Sequence, residues 1–495
     1  MINANLSFDQ KLNFITEGLS FKALFSFKNY TSSITSRSQS GWNKYSVTSW
    51  GKDADGNYEW KITPIGTPQK PVLDSSFSNS GDRRMYFQTY LDYTRTFGLH
   101  SVNGMLLFNL DSYSTNVNSS LISSLPHHKI GYAFRASYDY NNRYMAEFNA
   151  GYNGSENFAE GHRFGFFPSF AVGWNVSNES FWEPISDYIS LLKIRASYGR
   201  AGMSDIYTTS DGVPSVRYPY QGAYTETGGR YNFGTSQSAY TGIYESTVGN
   251  RNIKWEISDM VNVGMDFDFW NKKLYGQIDL FKEWRSNILV TRSTIPTGMF
   301  GAAVPLDSYG KAETKGFEVT LGHMNKIGDF TYHIQGMLTY NTNKITEMDE
   351  VAPDYAYQSK TGNRINQSQL LTWVQWATDP ALIPESHQDA IDHPEKYPWH
   401  SAGKYQLGNA IFKDTNGDRI IDAYDKEPMG YTKIPELIPT VNIGFEWKGL
   451  DARAVLTAYL NRTVGCRENM DYGFGWGGTS THEVVNTWGY YTDDP

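Results

Sequence analysis

The chain has 495 residues, a net charge of −9 and one cysteine, Cys466. This balance offers no basic footprint for nucleic acid and leaves no intramolecular disulfide or cysteine-based zinc cluster. No run of about 18 apolar residues is present, which excludes a transmembrane helix but not a transmembrane barrel, half of whose strand residues face a polar lumen. Aromatic residues are abundant, with 35 Tyr, 27 Phe and 14 Trp, as in aromatic belts or binding surfaces. The opening Met1-Ile2-Asn3-Ala4-Asn5 has neither the basic nor the apolar segment of a secretory signal.

In chain order, alternation first predicts strands over 85–97 and 102–113. Over 130–153, Tyr132, Phe134, Ala136, Tyr138 and Tyr140 share one parity, and Tyr144, Ala146, Phe148, Ala150 and Tyr152 resume it after Asn141-Asn142-Arg143. Alternate strand residues face opposite sides, and opposed residues must share a side. Tyr140 is therefore expected opposite Tyr144 across a three-residue loop, with Ser137 opposite Glu147 and Arg135 diagonal to it. Strands follow at 166–176 and 191–199. Val261, Val263, Met265, Phe267 and Phe269 then alternate with polar residues, turn at Asn271-Lys272, and continue as Leu274, Gly276, Ile278 and Leu280. After 315–323 and 330–343, the pattern returns at Val441–Trp447 and switches parity across Lys448-Gly449 into Leu450. That switch requires an even loop, and Gly449 can supply positive φ.

The predicted architecture is all-β, a large antiparallel transmembrane barrel of roughly 15 visible strands, many near the 9–11 residues of a tilted membrane strand. Tight turns alternate with long stretches at about 200–257, 285–314 and 345–438, the asymmetry of outer-membrane barrels. A soluble two-sheet core also alternates but rarely needs so many long strands in series.

Several segments resemble the SusC/RagA family of TonB-linked outer-membrane proteins, spread along almost the whole chain. Phe167-Pro168-Ser169-Phe170-Ala171-Val172-Gly173-Trp174 is similar to the family's FPS-aromatic-x-x-GW strand, and Leu192-Lys193-Ile194-Arg195-Ala196-Ser197-Tyr198-Gly199 to its LK(I/L)RASYG strand. Ile253-Lys254-Trp255-Glu256 followed by Asn262-Val263-Gly264-Met265-Asp266-Phe267 resembles its KWE…N-x-G-x-D-F segment. Lys315-Gly316-Phe317-Glu318 matches NKGFE apart from Thr314, and Lys448-Gly449-Leu450-Asp451 resembles its KGFD turn. Asp414-Thr415-Asn416-Gly417-Asp418 through Asp425 resembles its D-x-NGDG-x-I-D-x-x-D loop. The resemblance implies a barrel of about 22 strands, preceded by a carboxypeptidase-like domain, a TonB box and a plug. Residues 1–495 are accordingly expected to be one partial barrel. The resemblance implies about five further strands and the plug in front and two or three strands behind, and a piece without them is not expected to transport alone.

The sharpest local motif is that Asp-rich loop. Ligand positions 1, 3, 5, 7, 9 and 12 fall on Asp414, Asn416, Asp418, the Ile420 carbonyl, Asp422 and Asp425, an EF-hand-like spacing for structural Ca²⁺. Arg419 stands where Gly normally makes the sharp turn, and Asp425 where a bidentate Glu is usual. The alternative is a solvated loop without metal. Asp266, Asp268 and Asp279 can pair as carboxylates across a hairpin, or simply be solvated charges. The adjacent His127 and His128 point in opposite directions in an extended chain and do not suit one ligand site. Trp42, Trp50, Tyr58, Trp60, Trp373, Trp376, Tyr397, Trp399, Trp476 and Trp488 lie in long loops. They suit sugar stacking, protein anchoring or packing among the loops. No G-x-S-x-G, H-E-x-x-H, P-loop or G-x-G-x-x-G is present, so no enzyme is expected.

The function implied by the resemblance is TonB-dependent uptake of an oligomeric nutrient, a glycan or a peptide, across the bacterial outer membrane. Its expected partners are a SusD-like surface lipoprotein, TonB–ExbB–ExbD acting through the N-terminal part, and outer-membrane lipid. The rival readings are a passive porin, which needs a complete strand set, and a soluble all-β carbohydrate-binding protein or glycosidase, which needs a close carboxylate pair in an aromatic cleft.

Overall fold

A computed structural model describes residues 1–465 apart from 39–43, 67–72, 117–124, 206–215, 236–237, 297, 299 and 300. Its described residues are dominated by one fourteen-stranded sheet in which each strand pairs with its sequence neighbour in the sheet. The wall strands are β1 (Ile2–Lys11), β2 (Leu19–Ser38), β3 (Asp74–Phe97), β4 (His100–Thr115), β5 (His127–Tyr140), β6 (Tyr144–Ser155) and β7 (Phe164–Asn175). They continue as β8 (Ile189–Met203), β9 (Glu256–Phe269), β10 (Leu274–Thr291), β11 (Leu306–Ile327), β12 (Phe330–Glu347), β13 (Leu437–Trp447) and β14 (Leu450–Thr457). All thirteen pairings are antiparallel. Among the described residues no ladder joins β1 to β14, so both remain edges.

The period-2 pattern fixes which side each residue faces. One row can be followed through Tyr138, Ala146, Val172, Ala196, Val263, Leu280, Phe317, Tyr340 and Leu437, each opposite the next. Large apolar side chains on this side stay exposed, including Leu106, Phe134, Phe170 and Leu280. The other side carries Arg135, Glu147, Asn149, Lys193, Arg195, Asp266, Asp279 and Glu318. An exposed apolar face opposite a polar one is the pattern of a wall between lipid and water.

The expected registers hold. Tyr140 lies opposite Tyr144 and Ser137 opposite Glu147. Arg135 Nη2 donates to Glu147 at 2.7 Å across the diagonal. Val263 faces Leu280, Met265 faces Ile278 and Phe267 faces Gly276, so the two odd and even series share one surface. Trp270, Asn271 and Lys272 all have positive φ in that turn. The β13–β14 turn has two residues, Lys448 at φ 47° and Gly449 at φ 85°. Positive φ at both central positions is the type I′ form that matches strand twist.

Two strands extend beyond their expected limits where the alternation is interrupted. β10 runs on to Thr291 and β11 begins at Leu306, inside a stretch expected to be loop. The ladder shifts between Arg285 and Ile288, where Asn287 adopts φ 58°. A bulge of this kind adds a residue, inverts parity and hides the continuing strand. The segment 200–257 likewise contains the hairpin Ala223–Phe233/Ser238–Thr247. Residues 44–65 form another hairpin, Lys44–Lys52/Tyr58–Ile65.

Charge tolerance should separate the two faces. Leu280→Arg is expected to cost about 2–4 kcal/mol if Leu280 lies near the bilayer midplane. Thr339→Arg, on the polar side opposite Glu318, should cost far less. Denaturant unfolding of the detergent-solubilised protein, read by heat-modifiable gel mobility, compares them; equal losses would refute the assignment of faces.

Candidate functional site: the polar face and the long-loop rim

The polar face is organised around Arg195 on β8. Its backbone lies opposite Gly264 of β9, and Gly264 in turn lies opposite Asp279 of β10. Gly264 has no side chain to block the crossing: a Cβ there would fall 2.6 Å from Arg195 Cζ and 2.7 Å from Asp279 Oδ1. Arg195 therefore spans a whole strand. Its Nη2 donates to Asp279 Oδ2 at 2.7 Å and its Nε to Asp266 Oδ2 at 3.3 Å. Gln277 Nε2 also donates to Asp279 Oδ2, at 2.9 Å. Asp266 and Asp279 do converge, but through a shared cation, and so do not form an acid–base carboxylate pair. Asp268 lies a register step away, opposite Tyr275.

Near the long-loop end of the same face, Phe158, Phe167, Ile253 and Trp255 form a small buried core. Phe167 projects from β7 into space vacated by Gly202, where a Cβ would lie 2.0 Å from its ring. Trp255 packs on Phe158 at 5.1 Å and on Phe167 at 5.2 Å between ring centroids. Its Nε1–H donates to the Arg163 carbonyl at 3.3 Å, which satisfies the buried indole. Glu256, next in sequence, pairs with Arg285.

The β12–β13 connection, 348–436, has its own core of Ala377, Tyr397, Tyr405 and Ile411. Burial, and secondarily the Asp425 charge, pushes the Tyr405 hydroxyl up to about 12. Burial alone would raise Glu350, but hydrogen bonds from Thr361, Ser359 and the Lys360 and Thr361 amides outweigh it and hold the carboxyl at about 2. A hydrogen bond from Lys396, followed by the Glu385 amide, holds Asp389 at about 2.

Within this connection the Asp-rich loop is closed on itself. Asp414 accepts the N–H groups of Gly417 and Arg419, each at 2.8 Å. Asn416 accepts from Asp418 N–H at 3.0 Å, Asp418 from Ile420 at 2.9 Å and Asp422 from Tyr424 at 2.7 Å. Fully buried Asp425 accepts from Thr415 at 2.7 Å and Asp422 at 2.9 Å. Ile420 is tied to Trp399 in a short parallel bridge. Arg419 does adopt the left-handed φ, 67°, that Gly would favour. Its guanidinium bonds the carbonyls of Ala390 at 3.0 Å and Lys396 at 2.6 Å, contacts that offset the roughly 1–2 kcal/mol strain. Among the described residues no group of three or more His, Cys, Asp or Glu is arranged to hold a metal ion.

The loop aromatics divide. Trp50 and Trp60 face each other across the Lys44–Ile65 hairpin at 6.3 Å, with Tyr58 beside them, and all three are exposed. Trp373 and Trp376 form a second exposed pair, 5.8 Å apart. Tyr397 instead belongs to the core of the long connection and Trp399 is half-buried. Trp42, Trp476, Trp488 and Cys466 lie outside the described residues. His127 and His128 fall on opposite faces of β5, opposite Tyr113 and Ser112.

A sheet with one lipid-compatible face, short turns at one rim and long structured loops at the other defines an outer-membrane β-barrel wall. Residues 1–426 match the family described as TonB dependent receptor-like, beta-barrel, and the chain belongs to that family. It is 27% identical over 345 residues to the TonB-dependent receptor SusC of Bacteroides thetaiotaomicron, covering 68% of this chain and 31% of that protein. TonB-dependent receptor P26 of Formosa agariphila is 24% identical over 487 residues, 97% of this chain and 43% of that one. The chain thus spans less than half the length of these relatives. Among solved structures, the RagAB peptide importer in its closed-closed state is similar in fold, with a TM-score of 0.65 at 15% identity over 93% of this chain and 48% of that one. The SusC/RagA resemblance and the outer-membrane location stand with these matches, and the family is one of receptors rather than enzymes.

Two outcomes test this geometry. Arg195→Met leaves the nearly buried Asp279 charge without its cation and should cost about 3 kcal/mol, the lower end for a broken buried pair because Arg195 is partly exposed. Denaturant unfolding reads it, and a loss below about 1 kcal/mol would show the pair to be surface-like. For the Asp-rich loop, calorimetry with Ca²⁺ up to millimolar concentration should give no binding heat; a stoichiometric heat would restore the ion that the spacing suggested.

Proposed function

We propose that this chain forms wall and rim of a TonB-dependent receptor that imports an oligomeric nutrient, a glycan or a peptide, across the outer membrane. The observation that carries this reading is the pairing of a charged inner wall, centred on Arg195, Asp266 and Asp279, with a long-loop rim that exposes Trp50, Trp60, Trp373 and Trp376. Flat exposed rings suit sugar faces and peptide side chains alike. A wall of this width encloses an aqueous hole, so a plug and an energised opening step are needed to keep the membrane sealed. TonB–ExbB–ExbD would supply that energy, and a SusD-like surface lipoprotein would cover the loop rim. The SusC name among the relatives and the RagAB fold likeness support both partners.

Uptake by cells carrying the intact receptor gene tests the proposal. Fluorescent oligosaccharides and oligopeptides should accumulate, and import should fall at least tenfold when a protonophore collapses the energy source. Import that survives the protonophore would favour a passive pore.

A further inference from the structure

An aliphatic recess interrupts the polar face at its long-loop end. On β10 the residues Asp279, Glu283 and Arg285 share the polar side, and Arg285 lies opposite Ala312 of β11. Strict alternation would next turn Asn287 and Leu289 to that side. The bulge at Asn287, with φ 58°, inverts the order and brings Ile288 and Val290 there instead. Gly310 makes room for both: a Cβ at this position would fall 3.1 Å from Ile288 Cβ and 3.2 Å from Val290 Cγ1. A second register shift, between Lys311 and Ala312 in the β11–β12 ladder, sets Ala312 opposite Ile345. Two irregularities thus gather aliphatic side chains from three strands on a face that is mostly polar.

The roof of the recess comes from the long connection. Gly362 N–H donates to the Ile345 carbonyl and Ile345 N–H to the Asn363 carbonyl, each at 2.8 Å. Ile365 N–H donates to Asn343 Oδ1 at 2.9 Å. These bonds hold the segment 360–369 over the aliphatic floor, and the space between is a cavity of about 400 Å³. Gln369 lines it, and its Oε1 is buried with no hydrogen-bond partner among the described residues. A buried acceptor left unpaired is costly, so a ligand that brings a donor gains there. Charges at the edge are largely matched. Lys311 Nζ lies 2.6 Å from Glu347, and Arg364 pairs with Glu436. Exposed Lys360 adds a positive charge at the mouth.

We propose that this recess is a side-chain pocket for a peptide, taking one uncharged aliphatic residue with a neighbouring backbone N–H on Gln369 Oε1. The inference rests on the import reading and narrows its two substrate classes to one. The lining decides between them. Among the described residues it contains no aromatic ring, so it gives a sugar no flat surface to stack on. A pyranose would also bring several hydroxyls against the carbon of Ile288, Val290 and Ile345, and each one left unpaired loses affinity. A peptide divides its chemistry as the recess does, with a carbon side chain beside an amide N–H. Burying a Leu or Ile side chain completely is worth about ten- to a hundredfold in affinity. The cavity lies at the small end of ligand pockets, with room for one residue of an oligomer rather than the whole. The charge on Lys360 disfavours Lys or Arg at the same position.

The test uses the intact receptor in detergent with an equimolar set of peptides Gly-Ser-Gly-X-Gly-Ser-Gly, where X is Leu, Ile, Ser or Lys. Peptides retained through rapid gel filtration are quantified by mass spectrometry. Wild type should retain the Leu and Ile peptides about tenfold or more over the Ser and Lys peptides. Ala312→Phe, which fills the recess, should abolish that preference. Gln369→Leu removes the acceptor and keeps the volume. It should lower retention of the Leu peptide about fivefold with no loss of thermal stability, a split that a merely structural glutamine would not give. If Ala312→Phe fails to fold by heat-modifiable mobility, Gln369→Leu decides. No preference in wild type, the result if a segment of the receptor itself fills the recess, would overturn the proposal. Displacement of the Leu peptide by maltoheptaose would overturn it as well. Binding is read here without an energised membrane, so a Leu preference without uptake in cells would overturn the import reading and support the pocket.

Discussion

In hydrocarbon no water is available to a backbone N–H or C=O, and each unpaired group costs several kcal/mol. Everything else in this chain follows from meeting that constraint by lateral strand pairing. The ladders run without a break from β1 to β14, and antiparallel neighbours need only short turns at one rim. The turn sequences meet that need with left-handed residues at Asn141, Asn142, Trp270, Asn271, Lys272, Lys448 and Gly449. Once pairing is obligatory, register is no longer free: a one-residue slip would send every Phe and Tyr of a strand into the polar interior.

Register in turn brings functional chemistry together. The Leu192–Gly199 and Asn262–Phe267 segments are neighbours in the sheet, and their pairing sets Arg195 against Gly264. Gly264 is needed because a longer side chain would occupy the path of the guanidinium to Asp279. The Phe167–Trp174 and Ile253–Glu256 segments meet in the same way, through Phe167 against Trp255. Sequence blocks that look unrelated along the chain are thus halves of single contacts across it.

Legibility followed this division. Wherever one face was apolar and the other polar without interruption, as in β5–β6, β9–β10 and β13–β14, both the strands and their opposed residues could be read directly. The bulge at Asn287 broke the parity and concealed the ends of β10 and β11. The far half of β2, rich in Ser and Thr, rises without the apolar alternation that marks a membrane span, so it left little trace. Contacts between strands distant in sequence were harder. Asp266 and Asp279 stood out as acids, but nothing in their own hairpin announced that Arg195, from another strand, would bridge them.

In the Asp-rich loop one spacing is open to two uses. EF-hand-like positions predict oxygen atoms at the right intervals, yet an oxygen can accept a backbone N–H as readily as it can ligate an ion. In a connection of nearly ninety residues, 348–436, the orphan N–H groups are numerous and close. Asp414, Asn416, Asp418, Asp422 and Asp425 each take at least one of them. Arg419 completes the logic. A glycine would have made the turn at lower strain but could not have reached the Ala390 and Lys396 carbonyls. The loop therefore joins two parts of its own connection, and the adjoining Ala410–Phe412 pairs with Trp373–Trp376, which leaves the two exposed rings on a hydrogen-bonded strand.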